Sequence, residues 1–319
     1  MNMTVRNFWF GFLCAVSLYA SQLMQGETRC PRGIEPTSYQ SLGASQIGVK
    51  VAINGRGPFE FMLDTGAQIT VLDPAIASEL DLHPKGAVGI VSVVSYALTD
   101  LVRVESFGLG PYRVSNLQVA IQSLDRLRSV NPEIQGILGI DFLGRFDMLI
   151  DNAHKALCFD DGRQMQFAVL GERVMVVHRE KPADNSLYVP PILIPVHLPA
   201  DGHRETILRI DSGSNAPILF SNRTEILPWL QKARGIRGNT SGNHSRLLLA
   251  TIPEQSVRIA DHTERRITFF TPIGDGTPYA KAIEDGLLPT ALFSEILISF
   301  RDGFVVFNPR DACPRSQPN

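Results

Sequence analysis

The chain has 319 residues, enough for two domains of ordinary size, and 44% of them are hydrophobic against 19% charged. That balance excludes a disordered chain. A net charge of -2 points to neither nucleic acid nor an anionic membrane as the main partner.

The first element is a leader. Arg6 supplies a positive start and Phe8 to Ala20 form an apolar run, followed by small residues, so residues 1–25 read as a signal peptide. The expected location is secreted or periplasmic; retention of the leader as a membrane anchor is the alternative. Of four cysteines, Cys14 leaves with the leader. Cys30 and Cys313 lie near the two ends of the mature chain, and an oxidising compartment would suit a bridge between them. Cys158, in the apolar run Ala156 to Phe159, reads as a buried free thiol. Three unpaired thiols remain the alternative.

The rest of the chain is written twice. Val49, Val51 and Ile53 alternate, Asn54-Gly55 turns the chain, and Phe59, Phe61 and Leu63 lead into Asp64-Thr65-Gly66. Asp73-Pro74 then opens a short helix. Gly136 to Gly139 precede the alternation Phe146, Met148, Ile150. The same grammar returns as Ile194, Val196, Leu198, the turn Asp201-Gly202, then Thr206, Leu208 and Ile210 before Asp211-Ser212-Gly213. The copies are offset by 147 residues (211 − 64). Gly286 to Pro289 and the alternation Ile296, Ile298, Phe300 repeat the later part. A second helix is expected near Ser221. A polar stretch around 179–186 separates the copies, placing one lobe at 37–170 and the other at 188–310. The expected fold is mostly β, with the site in the cleft between two related lobes.

A single Asp-hydroxyl-Gly turn is weak evidence, because these are ordinary turn residues. Two of them, each ending an apolar strand at the same place in a repeat, are different. Apolar segments flank both: Ile69 to Leu72 and Ile218 to Phe220. An isolated carboxylate between such segments is costly. Brought together, Asp64 and Asp211 could share one proton, one polarising a carbonyl while the other activates water. Gly66 and Gly213 allow tight turns. Thr65 and Ser212 offer hydroxyls that can tie the turns together.

These residues carry a resemblance. FMLDTGAQITVL and GILGIDFLGRFDMLID are similar to retropepsin-like proteins, and the duplication resembles the two lobes of pepsin. The chain looks like an aspartic peptidase of that superfamily, closest to bacterial-type duplicated retropepsin-like proteases. The resemblance implies a bilobal acid-protease fold and an aspartic endopeptidase with Asp64 and Asp211 as the catalytic pair, acting on an extended peptide or protein substrate. It implies no metal or organic cofactor, and a monomer. It makes Thr65 and Ser212 the interlocking hydroxyls, with Ile137 to Gly139 and Leu287-Leu288 threading beneath the turns. Ala67 and Ser214 follow the two triplets. The resemblance implies that Ser214 hydrogen-bonds the Asp211 carboxylate while Ala67 offers Asp64 no hydroxyl. The expected consequence is a mildly acidic optimum, roughly pH 4–6, against pepsin values of about 1.5 and 4.7. Pro289 stands where the family's motif ends in Gly, and no pepsin-type flap tyrosine follows Asp64. Gly86 to Gly89, and then Tyr96, are the candidates for a flap. A non-catalytic peptide- or glycan-binding protein on the same fold is the alternative reading.

Other signals are weaker. The seven histidines show no metal-ligand spacing. Residues 235–242 form a turn-rich stretch that could be a second flap-like loop or a solvated one. Asn222, Asn239 and Asn243 begin glycosylation sequons.

Overall fold

The computed structural model describes residues 30–43, 45–91, 96–178, 189–198, 205–220, 234–236, 248–260, 263–273 and 282–311. The expected leader, the polar stretch at 179–186, the Asp201-Gly202 turn, the helix near Ser221, Cys313, the three sequons and most of 235–242 lie outside the described residues.

The protein is mostly β. The first half contributes β1 (Thr37–Ser38), β2 (Gln40–Leu42), β3 (Gln46–Ile53), β4 (Arg56–Leu63), β5 (Val71–Leu72), β6 (Gly86–Val91) and β7 (Tyr96–Leu109). It continues with β8 (Tyr112–Ile121), β9 (Gly136–Leu138), β10 (Asp147–Asp151), β11 (Ala156–Asp160), β12 (Val169–Leu170) and β13 (Val174–Met175). The second half contributes β14 (Leu193–His197), β15 (Thr206–Asp211), β16 (Ile218–Leu219), β17 (Arg234–Ile236), β18 (Leu248–Thr251) and β19 (Gln255–Ile259). It ends with β20 (Thr263–Ile267), β21 (Phe270–Ile273), β22 (Gly286–Pro289), β23 (Glu295–Ser299), β24 (Phe304–Phe307) and β25 (Arg310–Asp311). Helices are short. The helix α1 (Pro74–Glu79) starts where the sequence puts it, with the Asp73 carboxylate accepting from the Ala75 N–H and Pro74 in the first position.

Local chemistry sets the hairpin that feeds the first Asp turn. Asn54 and Gly55 both take positive φ, 52° and 77°, the pair of values a two-residue primed turn requires. The pairing of Val49 with Phe61 and of Ile47 with Leu63 follows. The odd-numbered residues of the alternation face the core, so Ile47, Val49, Val51, Ile53, Phe61 and Leu63 are all buried. Phe61, Phe107, Phe142, Phe146, Phe159 and Tyr112 stack in edge and tilted contacts across that core.

The two halves repeat in space. One sheet runs β2-β3-β4-β9-β5-β8-β7-β6, and the other runs β17-β18-β21-β16-β22-β15-β14-β19-β20. In both, the strand entering the Asp turn lies between its hairpin partner and a parallel strand: β4 between β3 and β9, β15 between β14 and β22. The long β7 pairs with β6, with β8 and with β3. Its counterpart is broken by Pro253, which cannot donate to a ladder, into β18 and β19. The hairpin β17–β18 thus occupies the place of β6–β7. A third sheet, β1-β11-β10-β23-β24-β13, joins the halves, with Met148 opposite Ile298 and Ile150 opposite Ile296 at its centre.

The expected Cys30–Cys313 bridge is replaced by another. Cys30 is bonded to Cys158, 128 residues away, and the supposed free thiol is its partner. The pairing follows from β1 lying against β11, with Thr37 opposite Leu157, which brings the start of the described chain beside Cys158. Both cysteines are buried with Leu149, Met165, Phe304 and Val306. Closing a loop of this length restricts the unfolded chain, so Cys158→Ala is expected to lower stability by about 2–5 kcal/mol. Non-reducing thermal unfolding of the variant and wild type measures it; equal midpoints would refute the role.

Candidate active site

The strand β4 ends at Leu63 and β15 at Asp211, so each Asp side chain starts where a ladder stops. The N–H of Asp64 still donates to Leu138 of β9, at 2.9 Å. Within each turn the carboxylate folds back on its own backbone. Asp64 Oδ1 accepts from the N–H groups of Gly66 (2.8 Å) and Ala67 (3.2 Å). Asp211 Oδ1 accepts from those of Gly213 (2.8 Å) and Ser214 (2.9 Å).

The turns are then tied across the lobes by a reciprocal set of bonds. Thr65 Oγ1 donates to the Ile210 carbonyl (2.9 Å) and accepts from the Ser212 N–H (3.0 Å). Ser212 Oγ donates to the Leu63 carbonyl (2.8 Å) and accepts from the Thr65 N–H (3.0 Å). Both hydroxyl residues are buried, so these bonds act without competition from water. Each carboxyl packs on the opposite glycine. A methyl on Gly66 would lie 2.6 Å from Asp211 Cγ, and one on Gly213 would lie 2.5 Å from Asp64 Cγ. The structure therefore brings together every residue expected at the site: Asp64, Thr65, Gly66, Ala67, Asp211, Ser212, Gly213 and Ser214.

The two carboxyls lie close enough that the charge of one acts on the other. Burial raises the pKa of Asp64, against the donors of Gly66 and Ala67. Burial, and then the charge of Asp64, push Asp211 up to about 8. The expected source of this asymmetry is corrected by the geometry. The Ser214 hydroxyl donates to the Ala216 carbonyl at 2.8 Å and not to Asp211, so the two carboxylates receive the same kind of backbone support. A hydroxyl at position 67 would have the matching carbonyl, that of Ile69, to bond. Ala67→Ser is therefore expected to leave the upper limb of the pH–kcat/KM profile in place, while that limb lies well above the pepsin value of about 4.7. Profiles of both proteins decide it; a limb lowered by the serine would restore the hydroxyl explanation.

Behind the turns the lobes differ. In the first, the Gly139 N–H donates to Thr70 Oγ1 (3.1 Å), which donates to Asp141 Oδ1 (2.6 Å), and the Thr70 N–H donates to Asp141 Oδ2 (2.9 Å). Burial pushes the Asp141 pKa up to about 6 in spite of these donors. Ala120 donates to the Thr70 carbonyl and Phe270 to that of Pro217, so Pro217 is the counterpart of Thr70. The counterparts of Gly139 and Asp141 are Pro289 and Ala291, since Asp211 pairs with Pro289. The second lobe has thus lost donor and acceptor together, and Pro289 leaves no N–H unsatisfied.

The flap candidates Gly86 to Gly89 and Tyr96 lie on one hairpin, Gly86 opposite Leu101 and Val91 opposite Tyr96. Sequence reasoning missed residues that cross between the lobes at the turns, among them Gln68, whose Nε2 donates to the Val189 carbonyl at 3.0 Å. Gln46 Nε2 donates to the Gly213 carbonyl (2.8 Å), Ser45 Oγ to Asn215 (3.0 Å), and Arg209 to the Gly66 carbonyl (2.8 Å). A residue-by-residue comparison of the two copies would have flagged Arg209, which stands where the first copy has Met62.

Residues 49–142 match the family described as aspartyl protease. Among solved structures, the chain is similar to a retropepsin-like aspartic protease from Rickettsia conorii, at 16% identity over 40% of this chain and 92% of that one, with a TM-score of 0.33. No curated protein matches. The family match lies within the first half of the chain and includes the first Asp turn, and the fold is mostly β and acid-protease-like.

Proposed function

We propose that the protein is an aspartic endopeptidase in which Asp64 and Asp211 activate a water molecule against the peptide bond. The observation that carries this reading is the pairing of half-buried Asp64 with buried Asp211, each carboxyl against the opposite glycine and the turns held by reciprocal bonds from Thr65 and Ser212. Two such groups hold one proton between them. The protonated member of the pair polarises the substrate carbonyl, and the ionised member takes a proton from water as it attacks. Proton transfer back to the amine then releases the product, and no acyl-enzyme forms. The substrate is an extended peptide, bound as an added strand and covered by the β6–β7 hairpin. The protein acts as a monomer, with lobes close to 37–170 and 188–310. The Cys30–Cys158 bridge supports export, after loss of residues 1–25, to a secreted or periplasmic location.

The test is cleavage of a peptide library by the chain lacking its leader, between pH 3 and 8, with and without pepstatin. Pepstatin-sensitive endoproteolysis is expected. Peptide binding without cleavage at any pH would refute the reading in favour of a binding protein.

A further inference from the structure

We propose that Arg209 is a positioning residue for the catalytic pair, clamping the Gly66 carbonyl across the lobe interface and fixing a positive charge beside the shared proton. The inference rests on the peptidase reading for its consequence in catalysis, but its geometry is independent of it. Arg209 Nη1 donates to the Gly66 carbonyl at 2.8 Å, and Nη2 meets Glu284 Oε1 at 2.8 Å. The side chains are 18% and 5% exposed. One guanidinium therefore joins a carboxylate of its own lobe to the turn that holds Asp64.

The first lobe shows what this position holds when no charge is needed. Gln135 donates to the Glu60 carbonyl and Asp285 to that of Ile207; the Gln135 and Asp285 side chains accept in return from the N–H groups of Glu60 and Ile207. Arg209 is thus the counterpart of Met62, and Glu284 that of Ile134. Met62 and Ile134 are buried in one apolar cluster. Two members of one apolar cluster in the first copy are an Arg–Glu ion pair in the second. Burying an ion pair commonly contributes no more stability than an apolar pair of similar size. Arg209 also keeps its Nε buried without a hydrogen-bond partner, which adds a cost. Stability does not account for the exchange, but the site does.

The two cross-lobe braces differ in charge. Gln46, neutral, holds the carbonyl of Gly213, whereas Arg209, cationic, holds that of Gly66. The positive charge favours the ionised form of both members of the pair. Other titratable groups on the strands around the turns are Glu60 with Lys50 opposite it, Glu284 and Asp285 before β22, and Asp141 after β9. Arg209 is the cation among them with a bond into an Asp turn. Without it, burial alone would hold the proton more tightly than a base that must accept one can use.

The test is the double variant Arg209→Met/Glu284→Ile, which installs the first lobe's pair and leaves no buried charge unmatched. Three quantities are read: the carboxyl titration of the pair by carbon-13 NMR of labelled aspartate, the pH–kcat/KM profile, and the unfolding midpoint. The pair should lose its last proton about half to one pH unit higher, with the profile following and the midpoint unchanged or raised. Arg209→Lys should keep the titration near wild type but lower kcat several-fold, since one ammonium cannot bridge both acceptors. An unmoved titration in the double variant overturns the proposal, with or without a fall in the midpoint. A moved titration in a protein that cleaves no peptide would sustain Arg209's role and refute the peptidase reading instead.

Discussion

Asp64→Asn and Asp211→Asn are each expected to lower kcat/KM by at least about 100-fold while leaving the fold intact, because the base or the acid of the pair is lost. Asparagine keeps the oxygen that accepts from the N–H groups of Gly66 and Ala67, or of Gly213 and Ser214, so the turn survives. Stability should not fall at neutral pH. An unfolded Asp is ionised above about pH 4, whereas the native pair, with both pKa values raised, still holds a proton. The native state then binds more protons than the unfolded state, and stability falls as pH rises until that proton leaves. Removing one carboxyl lessens this slope, since the Asp that remains is raised by burial but no longer by its partner's charge. Residual activity above about a hundredth of wild type in either variant would sink the assignment of the pair. A midpoint at pH 7 well below wild type would show that the carboxylates serve the fold instead.

Gly66→Ala and Gly213→Ala are expected to abolish activity as fully, by a different route. The added methyl would sit within 2.6 Å of the opposite Asp Cγ, and the turn cannot retreat because Thr65 and Ser212 pin it from both sides. The carboxyls must separate or the lobes must part. Overpacking of this kind costs about 1–3 kcal/mol in stability. Gly86 serves as the stability control, since a methyl there meets nothing within 4 Å and its φ is not positive. Thermal unfolding beside a cleavage assay separates the effects. Full activity in either alanine variant would mean the two turns are not in contact.

The sequence made the site legible because its signals are carried by the backbone: a primed turn, a period of two, an Asp after an apolar strand, all repeated. What escaped it depends on which side chain turns toward which neighbour. Cys158 reads from its apolar neighbours as a free thiol and Cys313 as the partner of Cys30, and only the placing of β1 against β11 reverses this. Ser214 has an acceptor at Ala216 that no spacing rule ranks above Asp211. Pro289 read as an isolated departure, yet it is one third of a coordinated loss with Pro217 and Ala291. Arg209 carries no spacing signal of its own, and only alignment of the copies against each other sets it opposite Met62.

The sheet shared by the two halves has a consequence for how the chain is made. The strand β10 is buried at all five positions, and its neighbour β23 begins 144 residues after β10 ends (295 − 151). At 5–20 residues per second, a ribosome takes about 7–30 s to cover that distance. For that interval the nascent first half carries a bare apolar edge, a template for pairing with any passing strand. Its other side is already covered, since β11 and β1 precede the second half. The order of synthesis thus leaves one edge open and covers the other, so that growth of the sheet from β10 proceeds in a single direction.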